Sequence, residues 1–159
     1  MSAVNFDVRR PHHWLAFGFG AGLVPGAPGT AGTLVGVPVY LVLSPLPLWG
    51  YGAAVLGLAL VGVWACAKAA AELGEGDPRA VVWDEIVGLL VTLVAVPPGW
   101  LWVVAGVVLF RVLDILKPWP IGAVDRRVHG GWGIMLDDVL AGLIASGVLQ
   151  GMGWWLGAG

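Results

Sequence analysis

The sequence has little charge and almost no cysteine. Charged residues fill 11% of its 159 positions, where a typical soluble domain carries about 25%. A hydrophobic content of 58% and a mean hydropathy of +0.88 instead match the composition of a membrane protein. The formal net charge is −2 and no basic run is present, so nothing supports a nucleic-acid partner. A lone Cys66 excludes an internal disulfide, and in an apolar stretch it reads as packing. A cleaved signal is not expected, because Gly and Pro punctuate Gly18 to Gly32 where a clean apolar run would be needed. Solenoid repeats and low-complexity linkers are also missing. The chain has the length of one domain, and a single membrane-embedded domain over residues 1–159 is expected, with 1–13 as a polar N-terminal tail.

What is present is a series of apolar segments. After the tail, where Arg9, Arg10, His12 and His13 suggest an interfacial position rather than a metal site, comes AFGFGAGLVPGAPGTAGT. This stretch, Ala16 to Thr33, is too rich in Gly and Pro for a helix interior and reads as a structured loop. Leu34 to Leu48 follows, with Pro38 inside it and a break at Ser44 to Pro47. Trp49 to Ala71, Ala80 to Val96, Trp100 to Leu116 and Val139 to Leu156 complete the set. A membrane span needs about 20 residues, so the first and third segments are short. The expected fold is all-α: a polytopic membrane helical bundle with four to five membrane segments.

Charge placement is consistent with this layout. Threading five spans from an inside N-terminus puts Arg9, Arg10, Lys68, Arg79, Arg111, Lys117, Arg126 and Arg127 on one side, together with every acidic residue. The opposite turns, Ser44 to Trp49 and Val96 to Trp100, carry no charge. By the positive-inside rule the charged side is cytoplasmic. Trp49, Trp100, Trp102, Trp154 and Trp155 would form an aromatic belt at the far interface, and Trp14, Trp83, Trp119 and Trp132 one at the near interface.

Within this apolar frame the ionisable residues are concentrated. FRVLDILKPWP, Phe110 to Pro120, places Arg111, Asp114 and Lys117 at three-residue spacing, which on a helix puts them on one face. Asp84-Glu85 and Asp137-Asp138 are expected to open two further apolar helices, where carboxylates favour the positive end of the dipole. Neighbours about 100° apart cannot both serve as caps, however. Five carboxylates at one depth repel one another unless a cation compensates them. Mg²⁺ suits an all-oxygen ligand set shared with a phosphate, whereas Cys66, His12, His13 and His129 form no zinc pattern. Asp84, Glu85, Asp114, Asp137 and Asp138 are therefore the candidate metal ligands. Arg111 and Lys117 are candidate phosphate ligands, and so are Thr30 and Thr33 in the Gly-rich PGAPGTAGT, whose backbone could approach an anion. Arg111 paired with Asp114, and Lys117 snorkelling to headgroups, is the purely structural alternative.

Carboxylates, phosphate-binding cations and a Gly-Thr loop on the cytoplasmic face of a bundle suggest phosphoryl chemistry on a lipid headgroup. In that scheme Mg²⁺ offsets phosphate charge and acidifies a water, which one of Asp84, Asp114 and Asp138 orients or deprotonates. Arg111 and Lys117 stabilise the equatorial oxygens. An aspartyl-phosphate intermediate is equally open at this point.

GFGAGLVPGAPGTAGTL (Gly18 to Leu34), WDEIVG (Trp83 to Gly88), FRVLDILKPWPI (Phe110 to Ile121) and GGWGIMLDDVLAG (Gly130 to Gly142) resemble the motifs of the phosphatidylglycerophosphatase A family, in order along most of the chain. The resemblance implies a Mg²⁺-dependent bacterial phosphatase of the cytoplasmic (inner) membrane that converts phosphatidylglycerophosphate to phosphatidylglycerol and inorganic phosphate. It also implies that the five carboxylates are site residues, with Arg111 and Lys117 beside them. Leu113 departs from the aromatic expected before the aspartate, which touches packing more than chemistry. A transporter is disfavoured because no polar path crosses the far half of the bundle. A non-catalytic lipid-binding protein leaves the carboxylates unexplained. Another lipid-phosphate phosphotransfer enzyme is the nearest rival.

Overall fold

The computed structural model describes residues 6–74 and 78–157. No strand occurs among them. The elements are α1 (Pro11–Ala16), a 3₁₀ turn (Gly18–Leu23), α2 (Pro28–Leu43), α3 (Leu48–Leu73), α4 (Trp83–Thr92), α5 (Trp100–Leu116), α6 (Ile121–Arg127) and α7 (Gly130–Trp155).

The bundle is built around a short helix, α4. Every residue of α4 except Glu85 is buried, and α2, α3, α5 and α7 all pack against it. A helix that is apolar on all sides belongs in an interior, and this one, at 10 residues, is about 15 Å long, half the hydrocarbon thickness of a bilayer. The segment expected as the short third membrane segment, Ala80 to Val96, thus contains a helix buried among its neighbours. Among the described residues, two helices, α3 and α7, are long and apolar enough to cross a membrane. With α2 at 16 residues and α5 at 17, only these two of the four to five expected spans meet that length.

Glycines set how closely α4 approaches its neighbours. A Cβ on Gly142 of α7 would meet the Gly88 carbonyl oxygen, and one on Gly88 would meet the Phe110 ring and, at 3.0 Å, the Asp138 carbonyl oxygen. The two backbones thus touch between Gly88 and Gly142. One turn toward each N-terminus from this contact stand Asp84 on α4 and Asp138 on α7. Packing of small residues is what brings these carboxylates to a common level.

Several boundaries differ from those expected. α2 starts at Pro28, within the stretch read as loop, because proline at the first helical position supplies a suitable φ and lacks the N–H that would be orphaned there. α7 starts at Gly130 rather than Val139, so Asp137 and Asp138 lie in the body of the helix and not at its N-terminus. Its opening glycines are packing residues: a Cβ on Gly131 would strike the Val63 carbonyl oxygen of α3, and one on Gly133 that of Val128. Trp83 is not in an interfacial belt. It is 4% exposed and donates its indole N–H to the Leu58 carbonyl oxygen at 3.0 Å.

The N-terminal polar stretch is docked rather than free at an interface, although its residues 1–5 lie outside the described residues. His12 and His13 are buried on α1, and their Nε2 atoms lie 3.1 and 2.8 Å from the two carboxylate oxygens of Glu72 on α3. Arg10 reaches the same carboxylate at 2.6 Å. The His13 Nδ1 accepts the Asp7 backbone N–H at 3.0 Å, so its proton sits on Nε2 and donates to Glu72. These three residues have metal-ligating side chains in reach of one another, but that hydrogen bonding commits the His13 ring to anchoring α1.

Candidate active site

Three carboxylates converge where α4 begins against α7. One oxygen each from Asp84, Glu85 and Asp138 lie within 4.8 Å of one another. Asp84 and Glu85 occupy the first turn of α4, and Asp138 is 2% exposed. Asp84 Oδ1, Glu85 Oε2 and Asp138 Oδ2 are buried and have no hydrogen-bond partner. An unpaired buried carboxylate oxygen is costly, by several kcal/mol or more when ionised. Carboxylate oxygens from three residues, close enough together to share one ion, form an all-oxygen donor set of the kind Mg²⁺ takes. The residues present therefore fit a divalent cation. Asp114 and Asp137 do not belong to this trio, although both are electrostatic neighbours of Asp138.

The cations beside the trio are held by other carboxylates. Arg111 Nη1 donates to Asp114 Oδ2 one turn along α5 and lies 3.9 Å from Glu85 Oε1. Its Nε is buried without a partner. The first turn of α2 approaches the same guanidinium: a Cβ on Gly29 would lie 3.1 Å from both terminal nitrogens of Arg111. Helix N-termini leave N–H groups without intrahelical acceptors, so α2 and Arg111 Nε present unused donors in one place.

Lys117 ends α5 as its C-cap, in the left-handed conformation with φ 42°, in accord with a following proline that disfavours helix. It leaves the face shared by Arg111 and Asp114. Its Nζ donates to Asp137 Oδ2 and, at 2.7 Å, to Asp125 Oδ1. Burial works against its charge, but the bonds to Asp125 and Asp137 prevail and hold the ammonium above the ordinary lysine pKa. The candidate phosphate ligands Arg111 and Lys117 are thus both engaged within the protein, Arg111 with Asp114 and Lys117 with Asp125 and Asp137. Each is tied to at least one carboxylate, with six carboxylates facing two cations around the site.

Asp125 had no distinguishing signal in the sequence. It stands on α6, a one-to-two-turn helix in a stretch, IGAVDRRVHGG, with no strong apolar period. Only the fold of α6 against α7 brings it to Lys117. The two threonines also separate. Thr30 is exposed in the first turn of α2, whereas Thr33 is fully buried and its hydroxyl donates to the Gly29 carbonyl oxygen at 2.9 Å. That hydroxyl is engaged by its own helix, because serine and threonine inside helices bond back to the preceding turn.

Comparison with known proteins gives a consistent picture. The family model described as PgpA, phosphatidylglycerophosphatase A, matches residues 14–153. The chain is 47% identical over 156 residues to phosphatidylglycerophosphatase A of Escherichia coli (strain K12), covering 96% of this chain and 91% of that protein. It is 42% identical over 156 residues to the protein of the same name from Haemophilus influenzae, covering 96% and 94%. A Bacteroides thetaiotaomicron protein provisionally named phosphatidylinositol-3-phosphatase is 40% identical over 148 residues, covering 88% and 92%. No solved structure matches significantly.

Proposed function

Because the chain belongs to the phosphatidylglycerophosphatase A family, we propose that it is a Mg²⁺-dependent phosphatase that hydrolyses phosphatidylglycerophosphate to phosphatidylglycerol and inorganic phosphate. The observation that carries the metal requirement is the trio Asp84, Glu85 and Asp138, with one unpartnered buried oxygen on each. These residues would hold the ion. When bound, Mg²⁺ supplies charge compensation for the phosphate and acidifies a water.

The chain's own residues divide the remaining work. Arg111 Nε and the free N–H groups of the first turn of α2 bind the non-bridging phosphate oxygens. Asp114 fixes the guanidinium fork by accepting from Nη1, so it acts on phosphate through Arg111. Thr30, exposed beside them, adds a hydroxyl donor. Asp84 or Asp138 accepts the proton of the attacking water, each being a buried carboxylate of the trio with one oxygen unpaired. Lys117 has one of its three donors left for the headgroup.

The same reading places the chain in a bacterial cytoplasmic membrane as a single multi-pass domain with its site facing the cytoplasm. Outward-facing Leu41, Val42, Leu56, Leu60, Val104, Val108, Leu143 and Val148 are exposed, a surface suited to lipid. Trp49, Trp100, Trp154 and Trp155 are exposed at the end of the bundle opposite the carboxylates, as an interfacial belt requires. The test is phosphate release from phosphatidylglycerophosphate by detergent-solubilised protein. Release is expected with Mg²⁺ and abolished by chelator, and absence of Mg²⁺-dependent release refutes the proposal.

A further inference from the structure

We infer that Asp137 and the cavity beside it receive the free hydroxyl of the substrate's linker glycerol, so that this carboxylate reads the alcohol of the headgroup rather than the cation. The inference rests on the phosphatase reading above and extends it to specificity.

Asp137 and Asp138 are adjacent on α7 and so point about 100° apart. Asp138 joins Asp84 and Glu85. Asp137 instead lines a separate cavity of about 220 Å³ with Asp125, Val128, His129, Gly133 and Ile134. That volume far exceeds what one water needs. Asp137 is 5% exposed; its Oδ2 accepts from Lys117, and its Oδ1 is buried with no partner. A buried acceptor left without a donor, on a residue that lines a cavity, is matched by a ligand that brings one.

The wall's charge decides which donor. A second cation would meet the Lys117 ammonium, which already occupies the position between Asp137 Oδ2 and Asp125 Oδ1. A phosphate would face two carboxylates. A neutral alcohol has neither problem: its O–H donates to Asp137 Oδ1 while its carbon skeleton contacts Val128 and Ile134. Phosphatidylglycerophosphate carries one such hydroxyl, on the glycerol between its phosphodiester and its terminal phosphate. Because Asp137 and Asp138 share one turn, an alcohol at the first and a phosphate near the second are also within the reach of one headgroup.

The experiment compares kcat/KM, with Mg²⁺ in detergent micelles, for phosphatidylglycerophosphate and an analogue whose linker is propane-1,3-diol and so lacks only that hydroxyl. The wild-type protein is expected to favour the hydroxylated substrate by about tenfold or more, since a site built to bond a hydroxyl rejects a ligand without it. Asp137→Ala, which removes the acceptor, and Ile134→Phe, which narrows the cavity, should each bring that ratio to within about threefold, whatever they do to absolute rates. A wild-type ratio near one, or a ratio unchanged in both variants, overturns the inference. So does an Asp137→Ala protein whose ratio is retained while its Mg²⁺ requirement rises, which would return the residue to the cation. Equal release from both substrates refutes only this assignment; release from neither refutes the phosphatase reading itself.

Discussion

Gly29 of α2 leaves the space that the Glu85 carboxylate of α4 occupies. A Cβ built on Gly29 would fall on Glu85 Oε1 and lie 3.1 Å from both terminal nitrogens of Arg111. The glycine therefore holds open the meeting point of a carboxylate of the trio, the guanidinium and a helix N-terminus. Gly29→Ala should lower kcat/KM by at least about tenfold, since small displacements in a preorganised site are costly. Helix propensity would favour alanine by about 1 kcal/mol, which offsets part of the cost of crowding Glu85 Oε1, so the melting temperature should change far less than the activity. Paired phosphate-release and thermal-unfolding measurements separate the two effects.

Asp138→Asn and Asp84→Asn should each reduce turnover by about a hundredfold or more, as removal of a principal site charge does. Both residues are nearly inaccessible to solvent, so these are substitutions in a buried site and not on a solvated surface. Each exchanges a carboxylate with one unpartnered oxygen for a neutral amide, which relieves repulsion in the absence of metal. The wild-type protein should therefore gain more thermal stability from added Mg²⁺ than either variant, by the linkage of binding to folding. An equal Mg²⁺-induced shift in all three would remove these residues from the metal site.

Gly142→Ala tests the contact that brings α4 and α7 together. The added methyl would meet the Gly88 carbonyl oxygen and lie 3.0 Å from Val91 Cβ. Overpacking of this kind costs roughly 1–3 kcal/mol, and separation of the helices also moves Asp84 from Asp138. Unfolding in denaturant should show lowered stability, and activity at a temperature where the variant is fully folded should still be reduced. The exposed Gly147 on the same helix, which has open space around it, is the control: Gly147→Ala should leave activity unchanged and, by helix propensity, raise stability by up to about 1 kcal/mol.

Lys117→Met removes the ammonium between Asp125 and Asp137 and leaves two carboxylates facing each other. Breaking a buried pair costs about 3–5 kcal/mol; with the lysine side chain 29% exposed, a loss of roughly 1–3 kcal/mol is expected after screening. The pH dependence follows from the raised Lys117 pKa. Its contribution is complete below the unfolded-state value, about 10.4, and declines as pH rises through the higher folded-state value. The stability difference between wild type and Lys117→Met should thus stay constant from about pH 7 to about pH 9 and narrow only in stronger alkali.

Much of the helical layout was readable in advance because apolar runs and prolines are local signals. Trp100 to Leu116 has the boundaries observed for α5, and Trp49 to Ala71 lies within α3. Length and hydropathy could not tell a spanning helix from a buried one, which is why Ala80 to Val96 reads as a short span. Burial on every side, not a lipid environment, accounts for the apolar surface of α4. Glycine-rich entries misled in the opposite direction. Pro28 to Thr33 fell in a stretch that reads as loop, and Gly130 to Met135 fell before the expected helix start at Val139, but both belong to helices whose small residues let neighbours approach.

Composition and motif spacing by themselves determined that the chain is helical and apolar, with Asp84, Glu85, Asp114, Asp137 and Asp138 as the acidic residues to examine. Helical periodicity also placed Arg111 beside Asp114, since both lie on one uninterrupted helix. Tertiary structure alone decided how those groups are shared out. It united Asp84, Glu85 and Asp138 across α4 and α7, turned Asp137 toward Lys117 and a separate cavity, and brought Asp125 in from α6. The reason is geometric: periodicity fixes which side chains share a face of one helix, while the glycine contacts between helices fix which faces meet.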